Sequence, residues 1–155
     1  MDSQKTNELY ERFPHLYRER LAPLESSKMG WGFQCNDGWY DILHKMSKRI
    51  AALSSDDEFA PAITEVSRNE DGSLYVEARN LTPTVSNLIE AAVEQSKLTC
   101  ESCGYSPAFL RSQEGPMKGH IACGRCVRNT EGRTKQQAPK RKRKPRRAPD
   151  VMVVK

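Results

Sequence analysis

Cys100-Glu-Ser-Cys103 and Cys123-Gly-Arg-Cys126 are the residues of this chain best placed to do chemistry. Nineteen residues, Gly104 to Ala122, separate the two pairs. Paired Cys-x-x-Cys turns at that separation form a metal pattern, because each turn aims two sulfurs at one point. Four thiolates close a tetrahedron around one zinc ion and leave no position for water. The spacing therefore predicts one structural Zn²⁺ held by Cys100, Cys103, Cys123 and Cys126. Gly104 and Gly124 suit the positive φ and close approach that such turns need. The site would carry an excess of negative charge, and Lys97, Lys118, Arg125 and Arg128 lie near enough in sequence to offset it. A redox dithiol would need only one pair in a βαβ setting, and neither pair has that setting.

Other candidate chemistry is thinner. His120 is the one histidine between the pairs, and no aspartate accompanies it. It reads as a residue at a strand end or as a support for the ligands, not as a general base. Cys35 and His44 are the right types for a nucleophile and its base. No motif surrounds them, and Cys35 reads as a small buried apolar residue. Trp31, Phe33, Trp39 and Tyr40 are expected to pack the core.

The elements that position the cysteines follow from periodicity. Residues 6–20 carry Leu9, Tyr10, Phe13, Leu16 and Tyr17 at helical spacing, interrupted by Pro14. Asn36-Asp37-Gly38 is a turn and a candidate N-cap for a helix over 39–53, whose stripe is Trp39, Ile42, Leu43, Met46, Ile50 and Leu53. Lys45, Lys48 and Arg49 would face water. Ser54–Glu58 and Pro61 would end it. Strands over 63–68 and 73–78 flank Asn69-Glu-Asp-Gly72, a hairpin turn. A further helix over 85–97, capped by Thr84 or Ser86, delivers the chain to Cys100. Residues 108–111 and 119–122 can pair across Gln113–Pro116, which gives knuckle, strand, turn, strand, knuckle. The predicted fold class is α+β, with N-terminal helices and a β-hairpin packed with a C-terminal four-cysteine zinc ribbon and a disordered basic tail. The domains would be 1–98 for the body, 99–128 for the ribbon and 129–155 for the tail.

The 155 residues carry a net charge of +5, unevenly placed. Residues 135–155 hold nine basic residues and one acid, which leaves residues 1–134 at −3. Within the tail, Lys140, Arg141, Lys142, Arg143, Lys144, Arg146 and Arg147 fill seven of eight positions, and prolines keep the segment extended. Such an arm binds phosphates by counterion release and has little sequence preference. It holds no aromatic residue to stack on bases. It also has the composition of a nuclear localisation signal or a solubilising tail. Val151–Val154 is apolar enough to add a strand to a partner's sheet. No apolar run reaches the ~20 residues of a membrane helix. The N-terminus lacks a signal peptide's apolar stretch, so a cytoplasmic setting is expected, or a nuclear one in a eukaryote.

Gly32-Phe-Gln-Cys-Asn-Asp-Gly-Trp-Tyr-Asp-Ile-Leu43 together with Ser96-Lys-Leu-Thr-Cys-Glu-Ser-Cys-Gly104 resembles small phage- and prophage-encoded zinc-ribbon proteins. The likeness covers roughly residues 8–128 and excludes the tail. The hairpin turn Ser67–Gly72 departs from the family's charged-aromatic turn, and the family often carries His where Cys126 stands. The resemblance implies zinc, a phage or bacterial cytoplasmic setting and the order of elements, but no reaction. Gly119–Cys126 is also faintly similar to the second knuckle of HNH-class phage nucleases, whose His/Asp catalytic set is missing here. The sequence thus points to a non-enzymatic zinc-binding accessory protein that contacts DNA or RNA through its arm. The alternative is a protein–protein adaptor, or a phage-encoded inhibitor of host machinery, that binds through the acidic body or residues 151–154.

Overall fold

The computed structural model describes residues 1–53, 59–110 and 117–137. The expected helix stop at Ser54–Glu58, the ribbon turn at Gln113–Pro116, the basic run 140–147 and the apolar end 151–154 lie outside the described residues.

The order of elements is α1 (Ser3–Arg12), α2 (Tyr40–Leu53), β1 (Ala62–Arg68), β2 (Leu74–Arg79), α3 (Pro83–Ser96), β3 (Phe109–Leu110), β4 (Ile121–Ala122) and α4 (Gly124–Gln137), with short 3-10 turns at Arg18–Leu21, Lys28–Trp31 and Asp37–Trp39. This is the α+β architecture expected, with a cysteine cluster at its C-terminal end.

α1 begins and ends earlier than its apolar spacing suggests. The Asp2 side chain accepts from the Lys5 N–H and caps the start. Pro14 disfavours helical backbone at Phe13, which takes φ −132°, ψ 55° and closes the helix. Leu16 and Tyr17 are therefore buried from a turn and not from a helix. Tyr17 is fully enclosed, and its hydroxyl lies 2.7 Å from Ser47 Oγ on α2. Burial pushes its pKa well above the usual phenol value.

β1 pairs antiparallel with β2, and the register slips between Ile63 and Glu65, leaving Thr64 as an extra residue. The slip has a packing consequence. Side chains alternate along a strand, so Ile63 and Val66 would point to opposite faces without it. With it, both join the core alongside Leu74. The 3-10 turns at Arg18–Leu21 and Lys28–Trp31 pack on β1, which explains why even Thr64 and Glu65 are buried. Lys28 Nζ meets the Glu65 carboxylate at 2.8 Å. At the hairpin turn Gly72 takes φ +81°, as Asp-Gly predicts.

α3 starts at Pro83 with Thr82 as its cap, so neither Thr84 nor Ser86 caps it. Proline at the first helical position after a threonine is a start signal in its own right. α2 and α3 pack together over Ile42, Met46, Leu88 and Ala92. Phe33 and Trp39 are buried and Tyr40 packs against the core, but Trp31 is 60% exposed and does not. Asn36 makes no side-chain cap. Asp37 instead accepts the Asp2 N–H at 2.7 Å, which holds its carboxyl below the usual range and ties α1 to the turn before α2.

The other departure is α4, which runs through Arg128 to Gln137 where chain without regular structure was expected. Its later residues lack apolar periodicity, but its first turn is fixed by the second cysteine pair. The Val127 N–H bonds the Cys123 carbonyl, and the Thr130 hydroxyl bonds that of Cys126. Once a first turn is held, each added residue costs little. Among the described residues no helix is long and apolar enough to cross a membrane.

Gly38 joins the body to the first cysteine turn. A Cβ there would lie 2.2 Å from the Cys100 carbonyl oxygen and 2.5 Å from the Gly104 nitrogen, both backbone atoms. Its own N–H bonds the Glu101 carbonyl at 2.8 Å. Gly38→Ala is therefore expected to cost at least about 2–3 kcal/mol. Denaturant unfolding of the purified variant measures this, and an unchanged midpoint would contradict the packing.

Candidate metal centre

α3 ends at Ser96, and the chain turns directly into Cys100. The Cys100 N–H bonds the Tyr105 carbonyl, and the Gly104 N–H bonds the Cys100 carbonyl, each at 2.8 Å. Gly104 takes φ +75°, which closes the first turn. The second pair is made differently. Cys123 follows β4 and Cys126 lies in the first turn of α4, so the helix itself sets their separation. Gly124 has no positive φ, contrary to expectation, because it starts the helix. β3 and β4 pair as Phe109↔Ala122 and Leu110↔Ile121, and bring the two turns together.

The sulfurs of Cys100, Cys103, Cys123 and Cys126 all lie within 4.8 Å of one another, and Cys103 Sγ is 3.7 Å from Cys123 Sγ. Zinc–sulfur bonds of about 2.3 Å in a tetrahedron put neighbouring sulfurs about 3.8 Å apart. The donor set and its dimensions thus fit a tetrahedral thiolate-binding ion. With four protein donors the sphere is closed, and a bound ion would act as a cross-link.

The Cys126 backbone N–H, aimed at the Cys123 sulfur, lowers that thiol to about 7 against the opposing effect of burial. Desolvation raises Cys103 and Cys126, and sulfur–sulfur hydrogen bonding raises Cys126 further. Of these three thiols Cys123 alone is lowered. Cys35 stands apart, buried under the body and pushed up to about 12 by desolvation. Among the described residues no histidine or carboxylate hydrogen-bonds its sulfur.

His120 is not among the four donors. Its Nδ1 lies 2.7 Å from Glu101 Oε2, and Arg68 Nη1 reaches that same oxygen at 3.2 Å. The Asn36 N–H donates to Glu101 Oε1 at 3.3 Å. Glu101 is 1% exposed, so a charged side chain inside the first Cys-x-x-Cys turn is one of the most buried groups in the molecule. Its backbone N–H also bonds the Ile121 carbonyl, and the Trp39 indole N–H bonds the Thr99 carbonyl at 3.0 Å. Sequence reasoning misses Glu101, and only its place within the resembling knuckle draws attention to it. Of the four expected counter-charges, Arg125 and Arg128 line a cleft with Cys103 and Cys123, while Lys97 pairs with Glu94.

Comparison with family models, with curated proteins and with solved structures finds no match to this chain.

With the ion bound, iodoacetamide should modify none of the cysteines of the folded chain. After chelation Cys103, the exposed member of the cluster, should react first and Cys35 should not precede it, and after denaturation all five should be modified. Intact mass reads the count, and labelling of Cys35 before the others would contradict its enclosure. Glu101→Gln keeps the shape but removes the charge facing Arg68 and His120. It should lower unfolding stability by about 1–3 kcal/mol while leaving one metal per chain. Denaturant titration and metal analysis together check this.

Proposed function

We propose that this chain is a non-enzymatic, zinc-stapled accessory protein that contacts nucleic acid through its basic C-terminal arm. The observation that carries the reading is the closed four-cysteine cluster with α4 leaving directly from its second pair. The metal fixes the root of α4. The sequence beyond it leads into Lys140, Arg141, Lys142, Arg143, Lys144, Arg146 and Arg147. A closed metal sphere offers no site for a reacting water, and His120 is committed to Glu101 and Arg68. The cysteine cluster is therefore read as scaffold and the cations as the working surface. Such an arm neutralises phosphates and does not read bases. The phage or prophage setting implied by the resemblance is compatible with this role.

A second reading, a protein adaptor or an inhibitor of host machinery, is favoured by one observation. Trp31, Leu21 and Leu24 are exposed on and between the 3-10 segments. An exposed tryptophan accompanied by leucines is the kind of anchor protein interfaces use.

Salt dependence of binding tests the first reading. The full-length chain should bind an oligonucleotide with a steep logarithmic salt slope. Changing the seven arm residues to Gln should flatten that slope by up to about 5 on a single strand, at about 0.7 for each phosphate contact. Fluorescence anisotropy across a salt series measures it. Binding that keeps the same slope without the arm charges would remove the arm from the reading.

A further inference from the structure

The body is acidic in sum, but its charges are not evenly spread. A groove between α2 and α3 is floored by Ile42, Met46, Leu88 and Ala92, and Lys45, Lys48 and Arg49 stand along it. A second cleft shares Ile42, Lys45 and Gln95 with that groove and runs on past Leu98 to Gly104. A third begins at Gly104 and is bounded by Tyr105, Arg125 and Arg128. The shared residues place the three clefts next to one another, from the middle of α2 to the root of α4. Five cations line this track against one carboxylate, Asp41; at its ribbon end Cys103 and Cys123 also line it, and the charge of metal-bound thiolates there would draw on Arg125 and Arg128. Residues 1–134 hold sixteen basic and nineteen acidic residues, so the track gathers nearly a third of the cations and one of the carboxylates.

These cations are available. Lys45, Lys48, Arg49, Arg125 and Arg128 are exposed, and none makes an ion pair with a described residue. The acids of α3 lie elsewhere, since Glu94 pairs with Lys97 and Glu90 does not line the groove. At the ribbon end the cleft holds about 580 Å³, within the range of small-molecule sites. Tyr105 stands in it, 62% exposed. An exposed aromatic ring beside two arginines that make no ion pair with a described residue is a platform for an unstacked base with phosphates on either side.

We infer that the track of Lys45, Lys48, Arg49, Tyr105, Arg125 and Arg128 binds single-stranded nucleic acid, with the backbone along the cations and a base on Tyr105. This rests on the nucleic-acid reading above and extends it from the arm to the folded body. Mechanistically the two parts are complementary. The arm supplies long-range attraction without base contact, and the track supplies the stacking the arm lacks. The entry to α4 carries Arg125 and Arg128 and also leads toward the arm, so a strand held in the track is close to the arm's root.

The experiment uses zinc-loaded full-length chain and a fluorescein-labelled oligonucleotide of about 12 nucleotides, single-stranded or as a duplex. Three variants are compared: Lys45→Gln/Lys48→Gln/Arg49→Gln, Tyr105→Leu, and the arm with its seven cations changed to Gln. All of the track substitutions are exposed, and metal content with unfolding midpoint confirms that each variant is folded. The triple variant should flatten the single-strand salt slope by about 2, at about 0.7 per phosphate contact. Tyr105→Leu should weaken single-strand binding about tenfold with an unchanged slope and leave duplex binding unaltered. If both track variants bind as the parent does and only the arm variant loses affinity, the track is overturned and the arm reading stands. If the parent chain binds neither oligonucleotide, both fail. Equal effects on duplex and single strand would overturn the assignment to single strands.

Discussion

A carboxylate taken out of water costs several kcal/mol unless its oxygens are given partners, and Glu101 is almost wholly enclosed. Its partners come from three separate stretches of chain: the Asn36 N–H before α2, Arg68 at the end of β1, and His120 beside β4. Its main chain adds two more ties, from the Gly38 N–H and to the Ile121 carbonyl. No one of these segments can leave without exposing or orphaning the charge. The consequence is cooperative. The body does not merely sit beside the cysteine cluster, because the first Cys-x-x-Cys turn carries the group that the body must satisfy. The β1 register serves the same end. The slip at Thr64 that brings Ile63 and Val66 to one face also pairs Arg68 with the buried Leu74, and Arg68 then reaches toward the ribbon.

Glycine makes that junction possible at a second level. Gly38 and Gly104 lie backbone to backbone, with the Gly38 carbonyl 3.1 Å from where a Gly104 Cβ would stand. Gly72 meets the Gly119 carbonyl at 2.7 Å on the same reckoning. Two turns of the body thus rest on two parts of the ribbon, with side chains absent where main chains must touch. A metal ion held in the cluster would therefore stabilise more than the residues immediately around it, since binding free energy at the cysteines would be transmitted through these contacts.

Much of this is legible in the sequence, for identifiable reasons. Cysteine spacing is a geometric signal, and the four sulfurs do converge. α2 and the hairpin follow from long apolar periodicity and an Asp-Gly turn, both of which are local. What cannot be read is non-local or marginal. The burial of Glu101 depends on partners 19 to 65 residues away. The exposure of Trp31 depends on what the 3-10 segments leave uncovered, and its aromatic character argues the other way. α4 escapes because its later residues carry no apolar stripe, and its start is supplied by the second cysteine pair. Thr82-Pro83 is a different case, a local start signal present in the sequence but masked by the polar residues that follow it.

Charge shows why summing over a sequence conceals function. Residues 1–134 carry −3, which argues against a polyanion as their partner. But a ligand at a surface responds to nearby charges, because those beyond a Debye length, about 8 Å at physiological salt, are largely screened. The acids that set the total are in part spent inside the fold. Glu101 faces Arg68 and His120, Glu65 faces Lys28, Glu19 faces Arg79, and Asp37 faces Lys5. The cations along α2 and at the start of α4 have no such ion-pair partners among the described residues, so their field reaches solvent. Each of these pairs removes a cation as well as an acid, so pairing leaves the sum unchanged; what differs along the surface is where the unpaired charges lie. The fold and the proposed binding surface draw on one distribution of charge, and the arm's cations follow it in sequence beyond α4.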